Sequence, residues 1–401
     1  YVVDNGSTDG SAEMIREEFA DRLTLIVNEE NLGGTGGFNT GLSRALEDGH
    51  KYLMCVDNDA MLDENAVREL YGFMEAHPEV GMAASKIYHL EDPDYVQNFG
   101  QKIDFDHFAT EAYFYNEPED GSMPEFVFCD AVPACSLMVR SSVVREIGML
   151  PGHCYLYWDD TEWCHKCRLA GYRVASVGSS KALHSMGAKT EYTTTFPTYY
   201  AIRNMISFFM RYAPMEQVSM MGYEFLSMVY EEQFAGFYND ITNRPRTVMA
   251  AYDDAIHGIT GRAGEDRIFE VDRNTAQYES LFQSFASYDI VDNGNVLLRE
   301  KVIGTAAELG AREKILSEGR GECHIELCSS ILSNSANEIA RRMVDEGIEP
   351  CVLIDQNECI VNASEVRSLQ ADYAASRDLY VYSQMPIFIR QVKALRKKEE
   401  K

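Results

Sequence analysis

The sequence is short of positive charge. Its 36 lysines and arginines stand against 64 aspartates and glutamates, which gives a formal net charge of -28. A surface of this kind repels nucleic-acid phosphates and anionic lipid headgroups, so we expect no nucleic-acid partner. An anionic ligand would need a bound cation, or backbone amides, to offset the charge of the protein.

Other absences narrow the class of protein further. No uninterrupted apolar run reaches about 18 residues, and the basic and apolar regions of a signal peptide are missing, so neither a transmembrane helix nor a leader is expected. Ten cysteines in 401 residues are too few for a disulfide scaffold, which favours reduced thiols in a cytoplasmic protein. The sequence has no GxxxxGK[ST] loop and no GxSxG elbow, which argues against a P-loop NTPase and a common type of α/β hydrolase. Because Tyr1-Val2-Val3 resembles the interior of a strand, we expect structure ahead of residue 1.

Short apolar runs alternate with amphipathic stretches over the first 210 residues, which is the pattern of an α/β sandwich. Three times an apolar strand ends in a polar loop that a helix follows, so we expect parallel strands with right-handed crossovers. In such sheets the ligand crevice lies at the carboxyl ends of the strands. The loops that should line it are Asp4–Ser7, Asn31–Gly37 and Asp57–Asp59.

The pattern changes near residue 213. Residues 215–320 have few strand signals and long amphipathic runs, one of which predicts a helix over Val296–Leu316. We therefore expect two domains, an α/β domain over residues 1–213 and a mainly helical one over residues 214–401.

A glycine-rich stretch, Gly33–Gly37, stands between a predicted strand and a helix expected to begin near Phe38. The third glycine of the GxGxxG pattern is absent, so the match to a dinucleotide-binding turn is poor. The broader interpretation is a loop whose missing side chains let the backbone approach a nucleotide closely.

Two acidic motifs are candidates for chemistry. Asp57-Asn58-Asp59 follows an apolar strand, where two carboxylates could hold Mg²⁺ or Mn²⁺ against a diphosphate, although a simple capping turn also explains the pattern. Trp158-Asp159-Asp160-Thr161-Glu162 crowds three carboxylates, which raises their pKa values and suits a general base, although acidic residues are also typical of a helix N-terminus. His184 alone is more typical of a structural histidine, unless it completes the Asp57/Asp59 site.

Taken in order, the motifs resemble those of the inverting family 2 glycosyltransferases, which have the GT-A fold. Within that family the chain is most similar to the bacterial galactofuranosyltransferases, with the related rhamnosyltransferases next. The resemblance covers about residues 1–212 and implies a GT-A, Rossmann-like α/β sandwich with a mainly helical C-terminal extension. The motifs that carry it are Val2–Ser11, Asn31–Gly37, Asp57–Asp59, Trp158–Glu162, His184 and Tyr200–Asn204.

The resemblance also implies a role for each candidate residue. Asp4 would bind the uracil of a UDP-sugar, and Asn31 with Gly33, Gly34 and Gly36 would line the nucleotide. A Mn²⁺ or Mg²⁺ ion would be held against the donor diphosphate by Asp57, Asp59 and His184. Asp160 would be the catalytic base, and Asp159 and Glu162 would help to position the acceptor.

The function implied is transfer of galactofuranose from UDP-galactofuranose to a glycan or lipid-linked glycan of the cell wall. The protein would then act in the cytoplasm, at the inner face of the plasma membrane. Whether it forms a homo-oligomer is left open by the sequence. One departure concerns the acceptor, because Ala134-Cys135 stands where the galactofuranosyltransferases have a tryptophan pair. The alternatives are a rhamnosyltransferase that uses dTDP-rhamnose, a non-catalytic nucleotide-sugar binding module, and a helical scaffold with a vestigial transferase.

Overall fold

The computed structural model describes residues 1–19, 22–185, 194–271, 274–315 and 319–399. One predicted element ends outside these residues, because Leu316, the last residue of the helix predicted over Val296–Leu316, is not among them.

The N-terminal region is an α/β domain in which most elements lie where the sequence predicts them. Its elements are β1 (Val2–Asp4), α1 (Ser11–Phe19), β2 (Leu25–Val27), α2 (Gly33–Glu47), β3 (Tyr52–Val56), β4 (Ala60–Leu62), α3 (Ala66–Ala76), β5 (Val80–His89), β6 (Val96–Asn98), β7 (Gln101–Asp104), β8 (Ala109–Ala112), β9 (Phe126–Cys129), β10 (Ser136–Arg140), α4 (Ser141–Ile147), α5 (Asp159–Leu169), β11 (Arg173–His184) and α6 (Phe196–Tyr212).

The expected parallel arrangement is only partly correct. β1 and β2 form a parallel pair of their own, and β5 pairs in parallel with β11. β3 belongs to a seven-stranded mixed sheet, in which five strands have the order β3-β10-β5-β11-β4, β6 pairs with β5 and β9 pairs with β11. Its neighbour β10 is antiparallel to it. The mixed sheet still brings the ends of β3 and β11 to one edge, because β4 folds back after β3 and pairs with the end of β11.

Helix α5 is fixed against this sheet by its buried face. Trp163, Cys164 and Cys167 are fully buried, and the indole N–H of Trp163 donates to the carbonyl of Gly148 at 2.8 Å. Burial of such side chains stabilises a fold by about 1.5–3 kcal/mol each. Packing therefore sets the direction of α5 and points its acidic first turn at the edge where β3 ends.

The C-terminal region is mainly helical but contains a second sheet that the sequence analysis did not predict. This sheet has five strands in the order β13-β12-β14-β15-β16. The elements are α7 (Val218–Tyr238), α8 (Asn243–His257), α9 (Thr275–Ser284), β12 (Ser287–Val291), α10 (Val296–Glu308), β13 (Arg312–Glu313), β14 (Cys323–Cys328), α11 (Asn334–Asp345), β15 (Cys351–Asp355), β16 (Ile360–Asn362) and α12 (Val366–Glu399).

The helix predicted over Val296–Leu316 ends early. It stops at Glu308, and Gly310 follows with a φ of 84°, the left-handed conformation that commonly ends a helix. A short strand, β13, then begins at Arg312 and joins the second sheet. The amphipathic pattern was therefore correct for α10 and was wrongly extended across a glycine stop.

The last helix, α12, returns to the N-terminal domain. Its residues Val381, Phe388 and Val392 are fully buried in the same apolar cluster as Leu53 of β3 and Phe209 of α6. The guanidinium of Arg396 donates to the carbonyls of Met210 and Ala213, at the end of α6. Among the described helices, α12 included, we find none with the length and apolar character needed to span a membrane.

A buried histidine makes the stability of the second sheet depend on pH. Nδ1 of His324 contacts Asp289, and its Nε2 lies 3.2 Å from Oε1 of Glu326. The carboxylate of Glu326 also accepts a hydrogen bond from Asn293 and pairs with Arg342. The hydrogen bonds to Glu326 and Asp289 raise the pKa of His324, although burial opposes them. A raised folded-state pKa stabilises the fold below the unfolded value of about 6.5, and that stabilisation is lost as the pH rises through the folded value.

We therefore expect the free energy of unfolding to decrease as the pH rises above about 6.5. His324→Gln should remove this decrease and cost about 3 kcal/mol at pH 6, because it leaves the buried carboxylate of Asp289 without its cationic partner. The check is urea unfolding at several pH values, with the exposed His257→Gln as the control. If the free energy of unfolding of His324→Gln depends on pH as steeply as that of the parent, another group causes the pH dependence.

Candidate active site

The three predicted metal ligands lie together at the edge of the mixed sheet. Nε2 of His184 is 3.8 Å from Oδ2 of Asp57 and 3.5 Å from Oδ1 of Asp59. His184 is far from Asp57 and Asp59 in the sequence. The three residues come together because β4 pairs with β11, which places Ala60 opposite His184.

Gln97 of β6 fixes how His184 faces the carboxylates. Its Nε2 donates to the backbone carbonyl of His184 at 3.0 Å, so its Oε1 must accept from Nδ1–H of the ring at 2.7 Å. In the neutral ring, Nε2 of His184 is therefore the atom whose lone pair is directed at Asp57 and Asp59. This is the tautomer that a metal-ligating histidine needs, with its other nitrogen hydrogen-bonded.

The donor set fits a divalent cation. Burial and the neighbouring charge of Asp59 raise the pKa of Asp57 to about 6. Two crowded carboxylates and a neutral imidazole are ligands that Mn²⁺ or Mg²⁺ accepts, and a bound cation would relieve the repulsion between the carboxylates. The thiol of Cys135 is a further neighbour, because its Sγ lies within 4.8 Å of ligand atoms of Asp57 and His184.

The first turn of α5 presents the two candidate base residues. Oδ2 of Asp159 accepts from the hydroxyl of Thr35 at 2.7 Å. Asp160 is only half-buried; its Oδ2 accepts from the amide of Ala134 at 3.2 Å and its Oδ1 from the amide of Thr161 at 2.6 Å. Burial and the charge of Asp159 raise the pKa of Asp160 to about 7. A carboxylate of this kind can accept a proton near neutral pH.

Glu162 has a different environment from its two neighbours. It is 2% exposed, and its oxygens lie close to His153 at 2.9 Å, Lys166 at 3.1 Å, Arg211 at 3.3 Å, the hydroxyl of Tyr212 at 3.1 Å and the thiol of Cys154 at 3.9 Å. Burial opposes its ionisation, but the hydrogen bond from His153 and the nearby cations lower its pKa to about 2. Glu162 is a fixed anion that anchors α5, and a direct contact with an acceptor stays a prediction.

The predicted nucleotide-binding residues surround the ends of β1 and β2. Asp4 is buried, and its Oδ1 accepts from the amide of Ser7 at 3.1 Å. Oδ1 of Asn31 accepts from the amide of Gly33 at 2.9 Å, while Asn5 donates to the carbonyl of Gly33 at 2.9 Å. These bonds give the turns a defined shape, and contact of Asp4 and Asn31 with a nucleotide stays a prediction.

The glycine-rich stretch is helical, which corrects the expectation of a loop. Helix α2 begins at Gly33, five residues before the predicted start. A Cβ on Gly33 would lie 2.3 Å from the carbonyl oxygen of Tyr155, and one on Gly36 would lie 2.4 Å from Cβ of Leu32. Packing within the protein therefore accounts for two of the glycines. Gly34 differs, since its Cβ would meet only Leu156, at 3.4 Å.

We expect Gly33→Ala to lower the free energy of unfolding by at least about 2 kcal/mol, because Gly33 has a φ of +76° and no space for a side chain. Gly34→Ala, the matched control, should change it by less than about 1 kcal/mol, since a helical alanine is favoured over glycine. Thermal unfolding of both variants checks this. Equal stability of the two would mean that α2 can shift away from Tyr155.

Residues 1–145 match the family model for glycosyl transferase family 2. This part of the chain is therefore assigned to a family 2 glycosyltransferase domain, and the α/β domain that contains it is GT-A-like; the helical C-terminal region lies outside the match.

Two curated relatives are similar to the chain. One is galactofuranosyltransferase GlfT2 of Mycolicibacterium smegmatis, 21% identical over 218 residues, which is 50% of this chain and 32% of that protein. The other is the low-salt glycan biosynthesis hexosyltransferase Agl10 of Haloferax volcanii, 21% identical over 279 residues, which is 66% of this chain and 83% of that protein. The aligned part thus spans about a third of the galactofuranosyltransferase.

Two solved structures show a weaker likeness. GalNAc-T7, crystallised with UDP, GalNAc and Mn²⁺, is 12% identical, with a TM-score of 0.42 over 57% of this chain and 44% of that one. TarS of S. aureus is 14% identical, with a TM-score of 0.39 over 77% of this chain and 48% of that one.

Proposed function

We propose that this protein is a metal-dependent, inverting glycosyltransferase that transfers galactofuranose from UDP-galactofuranose to a glycan hydroxyl. The observation that carries the proposal is a backbone link between the two acidic motifs. The amide of Asp57 donates to the carbonyl of Cys135 at 3.3 Å, and the preceding residue, Ala134, donates its amide to Asp160. Two adjacent residues thus join the cation-binding cluster to the candidate base.

This arrangement suits a single displacement. Asp57, Asp59 and His184 would hold the cation, which offsets the charge of the donor diphosphate. Asp160 accepts the proton of the acceptor hydroxyl while that oxygen forms a bond to the anomeric carbon. The bond from that carbon to the diphosphate breaks, and UDP leaves with the electron pair. Burial raises the pKa of Asp159, but the hydrogen bond from Thr35 favours its charged form, and that charge in turn raises the pKa of Asp160.

The choice of sugar rests on the relatives and the sequence motifs. One relative is named a galactofuranosyltransferase and the other a hexosyltransferase. The acceptor we propose is a cell-wall or lipid-linked glycan, reached by the protein at the inner face of the membrane. Ala134 and Cys135, which stand where the galactofuranosyltransferases have a tryptophan pair, are both largely buried. The surface on which the acceptor would lie therefore differs from one formed by two tryptophans.

The proposal is tested by titrating UDP into the protein with and without Mn²⁺, followed by a donor screen. The screen compares hydrolysis and transfer of UDP-galactofuranose, UDP-galactose and dTDP-rhamnose. We expect Mn²⁺-dependent binding of UDP and turnover of UDP-galactofuranose. Turnover of dTDP-rhamnose alone would favour a rhamnosyltransferase, binding without turnover a binding module, and no binding of either nucleotide a scaffold.

A further inference from the structure

The segment that leads into α5 has an unusual backbone. Tyr155, Tyr157 and Trp158 have φ values of 67°, 60° and 65°. Bulky residues rarely adopt this left-handed conformation, and they keep it only where the surrounding structure holds them. Trp158 directly precedes Asp159 and Asp160, so this strained segment sets the position of the helix turn that carries the two carboxylates.

Every carbonyl of residues 154–157 accepts a hydrogen bond from outside the segment. Nδ2 of Asn204 donates to the carbonyls of Cys154, Leu156 and Tyr157, at 2.9, 2.7 and 3.0 Å. The remaining carbonyl, that of Tyr155, accepts from the amide of Thr35 at 3.2 Å. The two N–H groups of one side-chain amide are therefore shared among three of the four carbonyls, of which that of Cys154 also accepts from Arg203.

Arg203 orients this amide. Its Nε donates to Oδ1 of Asn204 at 3.0 Å, which turns the amide NH₂ group toward the strained segment. Its Nη2 donates to the carbonyl of Cys154 at 2.8 Å, and its Nη1 to that of Gly261 at 2.7 Å. Both residues are nearly inaccessible, at 1% and 4% exposed. The pair belongs to the rigid helix α6, so it can hold the segment in one conformation.

We propose that Arg203 and Asn204 are positioning residues for sugar transfer, acting through Asp160. They keep Tyr155, Tyr157 and Trp158 in the left-handed conformation that precedes α5, and so place Asp160 beside the cation-binding cluster. The same segment touches the donor side through Thr35, whose amide binds Tyr155 and whose hydroxyl binds Asp159. The inference rests on the proposed function in one respect, which is the role of Asp160 as the base.

The test compares Asn204→Leu with the parent protein. The substitution keeps the side-chain volume and removes the amide donors. We expect kcat for transfer to fall about 100-fold, because a small misplacement of a catalytic group has an effect of this size. The Kd for UDP in Mn²⁺ should stay within twofold of the parent's. Because Asn204 acts through Asp160, the double variant with Asp160→Asn should be no slower than Asp160→Asn alone. Independent, multiplying losses would overturn the proposal.

Asn239→Leu is the matched control, because Asn239 is also fully buried and joins the carbonyl of Ala235 to the amide of Ile360. Hydrogen exchange of the peptide covering residues 154–160 should be faster in Asn204→Leu and unchanged in Asn239→Leu. Unchanged exchange in Asn204→Leu would overturn the positioning role. If Asn204→Leu does not fold, Arg203→Lys takes its place under the same criteria. If the parent transfers no sugar, the proposed function fails, and hydrogen exchange alone decides whether the pair holds the segment.

Discussion

Asp160→Asn should lower the rate of sugar transfer by about 10²–10⁴-fold, because an amide cannot accept the proton of the acceptor hydroxyl. The affinity for UDP in Mn²⁺ should stay within about twofold of the parent's, since the cation-binding residues lie on other elements. Single-turnover transfer measured beside donor affinity separates the two effects. Asp345→Asn, a change at an exposed position of α11, is the control.

The pH dependence provides a second measurement of the same role. Burial and Asp159 raise the pKa of Asp160 to about 7, and a base works only when it is ionised. The parent's transfer rate should therefore rise as the pH increases through about 7, and this rise should be absent in Asp160→Asn. Transfer by Asp160→Asn within about threefold of the parent's rate would exclude it as the base and favour Asp159.

Asp59→Ala should weaken the binding of UDP in Mn²⁺ by at least about tenfold, because it removes a carboxylate that faces His184. Without the metal ion, the variant and the parent should bind UDP with equal, weaker affinity. Calorimetry with UDP measures the first effect, and the electron paramagnetic resonance signal of free Mn²⁺ measures the loss of the ion directly.

Asn58→Ala is the matched control for this experiment, since Asn58 lies between the two carboxylates and is exposed. It should retain Mn²⁺-dependent binding of UDP. If Asp59→Ala also retains it, the cluster of Asp57, Asp59 and His184 is a structural ionic group, and the nucleotide would depend on backbone amides alone.

Local sequence patterns predicted individual elements better than their pairing. The strand that the apolar run ahead of Asp57 predicts is present as Tyr52–Val56, and the strand expected at Tyr1-Val2-Val3 is present as Val2–Asp4. Helix α2 was expected too late, because glycines oppose helix formation in general, and only the contact of Gly33 with Tyr155 shows why they are needed there. The second sheet was missed because β14 and β15 are buried along their whole length and lack the alternating pattern of a half-exposed strand, and a short apolar run does not distinguish a buried strand from a buried helix.

The candidate site shows the same limit. The motifs identified Asp57, Asp59 and His184 as a set, and the described structure does bring their side chains together. Gln97, which orients His184, had no sequence signal, because a glutamine in a short strand has many possible partners. The opposite environments of Asp160 and Glu162 were also hidden, since they depend on Ala134 and Arg211, which are distant in sequence.

The return of α12 to the N-terminal domain has a consequence for biosynthesis. Arg396 binds the carbonyl of Met210 across a sequence separation of 186 residues, and Phe388 fills the core beside α6. During translation, the surface of α6 that α12 covers is exposed until residues 381–396 have left the ribosome. Such exposed apolar surface makes a nascent chain prone to aggregation. A gene fragment that stops after residue 213 should therefore yield aggregated protein, even though it encodes every candidate catalytic residue.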